Sequence, residues 1–172
     1  MMRKFIKIME SFESITVNGI AKPITNSLGE PIAPTEEGIR NFWNWFGDSK
    51  MVDGEGRPLV CYHGTDVDFD YFDHYVTYDK VTWFAFDRNY ITNQESGASG
   101  TNIVLPLYVR ITNPAGWDEQ DQYFADQLIT AGYDGVILPD NENTTGYVWD
   151  EKNIKIADGS NTTFDNSKFF RK

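Results

Sequence analysis

Pro58-Leu59-Val60-Cys61-Tyr62-His63-Gly64-Thr65 is a β-forming run that follows turn chemistry at Asp53-Gly54-Glu55-Gly56 and stops in His-Gly-Thr. It predicts a first major strand entered at Pro58, with an imidazole, a glycine and a hydroxyl at its far end. Working outward, Val81-Thr82-Trp83-Phe84-Ala85-Phe86 reads as a second strand followed by a short helix from about Asp87. Ile103-Val104-Leu105-Pro106-Leu107-Tyr108-Val109-Arg110-Ile111 reads as a third, halted by Asn113-Pro114. Pro106 has no N–H to give a ladder, so this strand is expected at an edge or with a bulge. A helix over 118–130 with Gly132 as its stop comes next, then Gly135-Val136-Ile137-Leu138, a polar loop over 139–145, Tyr147-Val148-Trp149 and Ile154-Lys155-Ile156-Ala157.

Upstream, Thr35 stands where a helix N-cap belongs, with Glu36 and Glu37 in the dipole-favoured first turn and Gly47 at the end. Ile39, Phe42, Trp43 and Phe46 recur at helical spacing, the pattern of a core face. Residues 11–34 are broken by Gly19, Pro23, Gly29, Pro31 and Pro34 and read as an extended arm over the domain. The division expected is an N-terminal arm over 1–34, one domain over 35–159 and a loose polar tail over 160–172. Strands outnumber helices, so the fold class is α+β.

The 172 residues suit one domain, and 40% hydrophobic content gives it a core. Twenty-six acidic against fifteen basic residues leave a net charge of −11, which repels phosphate backbones and makes a bulk nucleic-acid binder a poor fit. Cys61 is the only cysteine, which excludes an intrachain disulfide and fits a reducing compartment. No apolar run reaches the roughly 20 residues that span a bilayer. The expectation is a cytoplasmic protein with no membrane partner.

Metal chemistry finds little support. Asp66, Asp68, Asp70 and Asp73 suggest a calcium loop, but Tyr71 stands where a glycine must turn it and Thr77 where a bidentate glutamate is needed. His63 and His74 are the only histidines, and no metal is expected. Cys61 shares a strand face with His63, where a buried apolar role is commoner than a nucleophilic one. At His63-Gly64-Thr65, an imidazole and a hydroxyl can bond sugar hydroxyls while the glycine admits a ligand to the main chain.

An ordered series of pieces gives this strand end its context. Asn41-Phe42-Trp43-Asn44-Trp45-Phe46-Gly47-Asp48 precedes it, and Trp83-Phe84-Ala85-Phe86 and Ile111-Thr112-Asn113-Pro114 follow. Gly132-Tyr133-Asp134-Gly135-Val136-Ile137 and Asn153-Ile154-Lys155-Ile156-Ala157 complete it. From about residue 35 to 159 the chain resembles the ADP-ribosyltransferase-like domain of polyvalent proteins from phages and conjugative elements, in the branch related to diphtheria toxin and the poly(ADP-ribose) polymerases.

The resemblance implies a split, twisted β-sheet core with peripheral helices that clasps NAD in a cleft. It assigns His63 to ribose hydroxyls, the Gly64 main chain to the nicotinamide carboxamide and Thr65 to a ribose. The strand Trp83-Phe84-Ala85 lines the cleft, and Tyr90 is the candidate to stack on nicotinamide, with Trp83 or Phe86 as alternatives. The family's third element is a glutamate before the last strands; Thr144, Thr145 or Gly146 stand there instead. Glu142 in the preceding loop is the catalytic candidate, and Glu95 a more remote one. The activity implied is mono-ADP-ribosyl transfer from NAD to a host macromolecule, with a bacterial host protein as acceptor and nicotinamide released. The alternative is an inactive scaffold that binds a nucleotide or a protein.

Overall fold

Thr35 caps the first helix as its sequence predicts: its backbone is extended and its side chain accepts from the Gly38 N–H at 3.0 Å. The helix, α1 (Glu36–Phe46), ends at Gly47, whose φ of +55° suits a residue without Cβ. In the computed structural model, which describes residues 14–74, 79–92 and 102–172, α1 buries Ile39, Phe42, Trp43, Trp45 and Phe46. Phe42 is the centre of this packing, with Phe46, Tyr108 and Phe164 rings at 4.9, 4.8 and 5.2 Å. Its aromatic stripe is core, not a ligand wall.

The described part of the arm begins with a hairpin, β1 (Ser14–Val17) and β2 (Ile20–Pro23), turned by Asn18 and Gly19, both at positive φ. Val17, Ile24, Ile32 and Ala33 enter the main core, and the Trp43 indole donates to the Pro23 carbonyl at 2.8 Å. The arm is therefore packed on the domain along these residues.

The remaining elements are β3 (Cys61–Thr65), β4 (Thr82–Ala85), α2 (Arg88–Thr92), β5 (Ile103–Val109) and β6 (Pro114–Ala115). They continue as α3 (Trp117–Gln122), α4 (Ala125–Thr130), β7 (Gly135–Leu138), β8 (Thr145–Val148) and β9 (Ile154–Ile156). The main sheet runs β6-β7-β8-β4-β3-β5-β9, antiparallel throughout except for β6 with β7. Its architecture is α+β.

Four expectations are corrected. The first major strand starts at Cys61, because residues 58–60 are already committed: Pro58 bridges Val52, and Val60 N–H bonds the Ser27 hydroxyl at 3.0 Å. The helix expected over 118–130 is two helices. Tyr123 is extended, and Gln127 reaches back to cap the Phe124 N–H at 2.9 Å, so a new N-terminus forms where propensity alone would continue. Pro106 sits in β5, which is flanked by β3 and β9 and is not an edge. Its carbonyl accepts from Ala157, just past the end of β9, so its missing donor falls where that ladder has stopped.

The fourth correction concerns residues 160–172, expected to be loose. Phe164 and Phe170 are buried in the core, and the Ile156 N–H donates to the Phe170 carbonyl at 2.7 Å. Lys155 has 0% of its surface exposed and fastens this segment, donating to Asp165 Oδ1 at 3.1 Å and to the Ser167 and Phe169 carbonyls at 3.2 and 2.9 Å. Composition hides such docking, since two phenylalanines and one distant lysine carry it. Lys155→Met, which keeps the apolar stem but leaves two carbonyls unpaired, is expected to cost about 1–3 kcal/mol. Limited proteolysis should then cut within 160–172 before the rest of the chain; an unchanged digestion pattern would count against this fastening.

Candidate functional site

The sheet changes character between β3 and β4. Five residue pairs join β3 to β5 and four join β4 to β8, but only Tyr62 with Ala85 joins β3 to β4. Along an antiparallel strand, backbone groups point alternately to one neighbour and the other. Pro106 points toward the β9 side, so Leu105 and Leu107 point to β3, and their partners His63 and Cys61 point back to β5. Tyr62 and Gly64 then turn their N–H and C=O toward β4. Past Ala85 the next partner for Gly64 would be Trp83, but there the register stops.

His63 explains the opening. Its Nδ1 lies 2.7 Å from the Trp83 carbonyl oxygen, the group a continued ladder would offer to Gly64. A carbonyl only accepts, so Nδ1 carries the proton and the neutral ring keeps a lone pair on Nε2. Phe72 holds the ring edge-on, with centroids 5.1 Å apart. Burial pushes the His63 pKa below its ordinary 6.5, against the Trp83 hydrogen bond that supports the charged form. The neutral ring, with Nε2 as acceptor, is thus the resting state at pH 7.

A depressed histidine has a definite linkage sign. As pH falls below about 6.5 the unfolded chain takes a proton that folded His63 still refuses, so stability declines through the range down to the depressed value. His63→Gln should flatten that part of the stability-against-pH curve, measured by urea melts between about pH 7 and 5. Equal slopes in both proteins would contradict the assignment.

The structure brings some of the sequence candidates together. Trp83 binds His63 through its carbonyl, while its ring packs with Tyr62 and Tyr90 around Ala85 and Ile91. Tyr90 is half-buried on α2, in the cluster on the Tyr62 side of β3, whereas His63 as the next residue faces the other side. Phe84 is fully buried in the main core, and Phe86 is half-buried beside it, with ring centroids 6.3 Å apart. The Thr65 hydroxyl is engaged locally, donating to the Val67 carbonyl at 3.1 Å.

The acidic candidates stand apart from this group. Glu142 is exposed in the loop between β7 and β8, and its N–H bonds Asp140. That loop is tied to the end of β4, where Phe86 N–H donates to the Thr144 carbonyl and Asp87 N–H to Asn143 Oδ1 at 2.9 and 3.1 Å. Pairing places His63, Phe84 and Gly146 in one row across the sheet. Glu142 lies four residues before Gly146, in the bent loop ahead of β8. Glu95 and residues 1–13 lie outside the described residues.

Three features were not read from the sequence. One is the Trp83 carbonyl as the group that orients His63; a backbone acceptor leaves no residue signal. A second is His74, which bonds the Trp149 carbonyl at 2.7 Å and the Thr82 hydroxyl at 2.5 Å, holding the acidic loop to β4 and to the end of β8. The third is the closure of position 146. A Cβ on Gly146 would lie 2.3 Å from the Val136 carbonyl and 2.6 Å from the Phe84 ring, so the row through His63 admits no side chain there.

Cys61 is fully buried and burial pushes its thiol pKa far up, which suits an apolar role. Among the described residues no group of three or more His, Cys, Asp or Glu side chains is placed to hold a metal ion. Among them, too, no helix is long and apolar enough to cross a membrane.

Residues 53–128 match the family model described as ADP-ribosyltransferase in polyvalent proteins. Neither a curated protein nor a solved structure matches the chain. The match begins at the Asp53 turn and takes in His63-Gly64-Thr65, β4 and α2, the elements around the opening. The family's chemistry is ADP-ribosyl transfer with NAD as its substrate. Over residues 53–128 the chain is therefore similar to the ADP-ribosyltransferase domain of polyvalent proteins.

Proposed function

We propose that the protein binds NAD in the opening between β3 and β4 and transfers single ADP-ribosyl units to a host protein. The observation that carries this reading is the His63–Trp83 hydrogen bond, which holds the sheet open and fixes Nε2 as an acceptor. In this reading Nε2 accepts from a ribose hydroxyl, and the Gly64 N–H and C=O pair with the carboxamide of nicotinamide. Thr65 supports a ribose, and Phe86, half-buried beside Phe84 on the His63 side of the sheet, supplies an aromatic face for the nicotinamide ring.

The C1′–N bond breaks with its electron pair going to nicotinamide, which leaves neutral. An acceptor nucleophile adds to the oxocarbenium-like carbon and gives its proton to water. A carboxylate beside that carbon would stabilise the developing charge. Glu142 is the group we assign to this task, by movement of its exposed loop. With no acid in the His63 row, transfer stops at one unit. A phage-encoded protein acting in the cytoplasm of its bacterial host fits this activity.

One observation favours a second reading, a scaffold that binds a nucleotide or protein without turnover: the glycine at 146 and the ring that closes its space. Labelled NAD added to bacterial lysate with the purified protein separates the two. The first reading predicts label on protein as single ADP-ribosyl units, lost in Glu142→Gln; NAD binding with no labelled product would establish the second.

A further inference from the structure

A groove of about 670 Å³ runs along the Trp83 side of β4 and β8, and the His63 site does not use it. Trp83, Tyr147 and Trp149 form its floor, with the Trp83 and Tyr147 rings 4.6 Å apart. Its outer wall is the break between α3 and α4, where Phe124 is 81% exposed and Tyr123 and Ile129 are each 47% exposed. Asp79, Asp121 and Asp126 line it against a single Lys80. Asp79 also accepts the Trp83 indole N–H at 2.8 Å, which fixes this ring and a carboxylate side by side at the groove. Tyr147 donates its hydroxyl to Gln120, so the floor and the α3 wall are held to each other.

Aromatic faces flanked by carboxylates match one ligand chemistry above others, a cation on an apolar stem. Arginine fits best, because its planar guanidinium stacks on aromatic rings while bonding carboxylates. We propose that this groove docks an arginine-bearing segment of the acceptor protein. The proposal rests on the transfer reading for its purpose, since Trp83 touches both places: its carbonyl holds His63, and its ring lines the groove. The net charge of −11 would draw a basic acceptor to the surface, and the groove would select the docking point. The break in the predicted single helix exposes Phe124 at this edge, where an uninterrupted helix would have no such corner.

The test uses a fluorescent hepta-arginine peptide and its citrulline counterpart, which has the same shape without the charge. Fluorescence anisotropy should show the arginine peptide binding at least about tenfold tighter. Phe124→Ala and the pair Asp121→Asn with Asp126→Asn should each weaken it by about three- to tenfold. The pair Asp48→Asn with Glu55→Gln, remote from the groove but equal in charge, should leave it unchanged. Equal binding of the citrulline peptide, or equal weakening by the remote pair, would overturn the proposal. Peptide binding without NAD binding in the wild-type protein would refute the transfer reading and leave the groove standing; the converse would refute the groove alone.

Discussion

Gly146→Ala should destabilise the protein by about 3 kcal/mol or more, lowering the melting temperature by on the order of 10 °C. The physical cause is specific. The added Cβ would sit 2.3 Å from the Val136 carbonyl, which belongs to the neighbouring strand, and 2.6 Å from the buried Phe84 ring. Neither can retreat: the carbonyl is fixed by the β7–β8 ladder, and Phe84 has 0% of its surface exposed. Gly54→Ala is the control, because nothing lies within 4 Å of its added Cβ. Gly146→Glu should therefore unfold the protein before it supplies a catalytic acid. A melting temperature unchanged by Gly146→Ala would mean that the row is open and that a carboxylate could be restored there.

His63→Ala should abolish measurable NAD binding while leaving a folded domain. The substitution removes the Nε2 acceptor and the Nδ1 donor together, freeing the Trp83 carbonyl to close against Gly64. Loss of one acceptor alone would weaken binding by about tenfold, equivalent to about 1.4 kcal/mol. Closure of the opening adds to this, because Gly64 would lose the groups it turns to the ligand. The fold should survive because the ring is only half-buried and β3 keeps its five pairs with β5. His63→Gln, whose amide can still donate to Trp83, should regain part of the affinity. Titration calorimetry with NAD checks both variants, and undiminished affinity in His63→Ala would remove the histidine from the site.

Local rules made much of the fold legible. Thr35, Glu36 and Gly47 mark α1 because caps act within one turn, and the β-forming runs around Cys61, Trp83 and Leu107 contain β3, β4 and β5. What stayed hidden depends on partners distant in sequence. Pro106 is tolerated inside the sheet because β9 stops beside it, and the end of a ladder cannot be seen from one strand. Lys155 gives residues 160–172 a place that their polar composition denies. The α3–α4 break turns on one glutamine cap against a modest propensity.

The candidate site divides the same way. His63-Gly64-Thr65 was legible as a strand end with three useful groups, and its context carried the resemblance. The opening itself was not, because it depends on a side chain bonding a backbone carbonyl twenty residues away. The absence of an acid at 146 was legible as a letter. Only the packing shows that the position is filled by Phe84 from the next strand.

The most direct test of the account is nicotinamide release from NAD by the purified wild-type protein in the presence of bacterial lysate, followed by chromatography beside His63→Ala. The account predicts release by the wild-type protein that depends on lysate and disappears with His63→Ala. Release that persists in His63→Ala, or none from the wild-type protein under any condition, would contradict it.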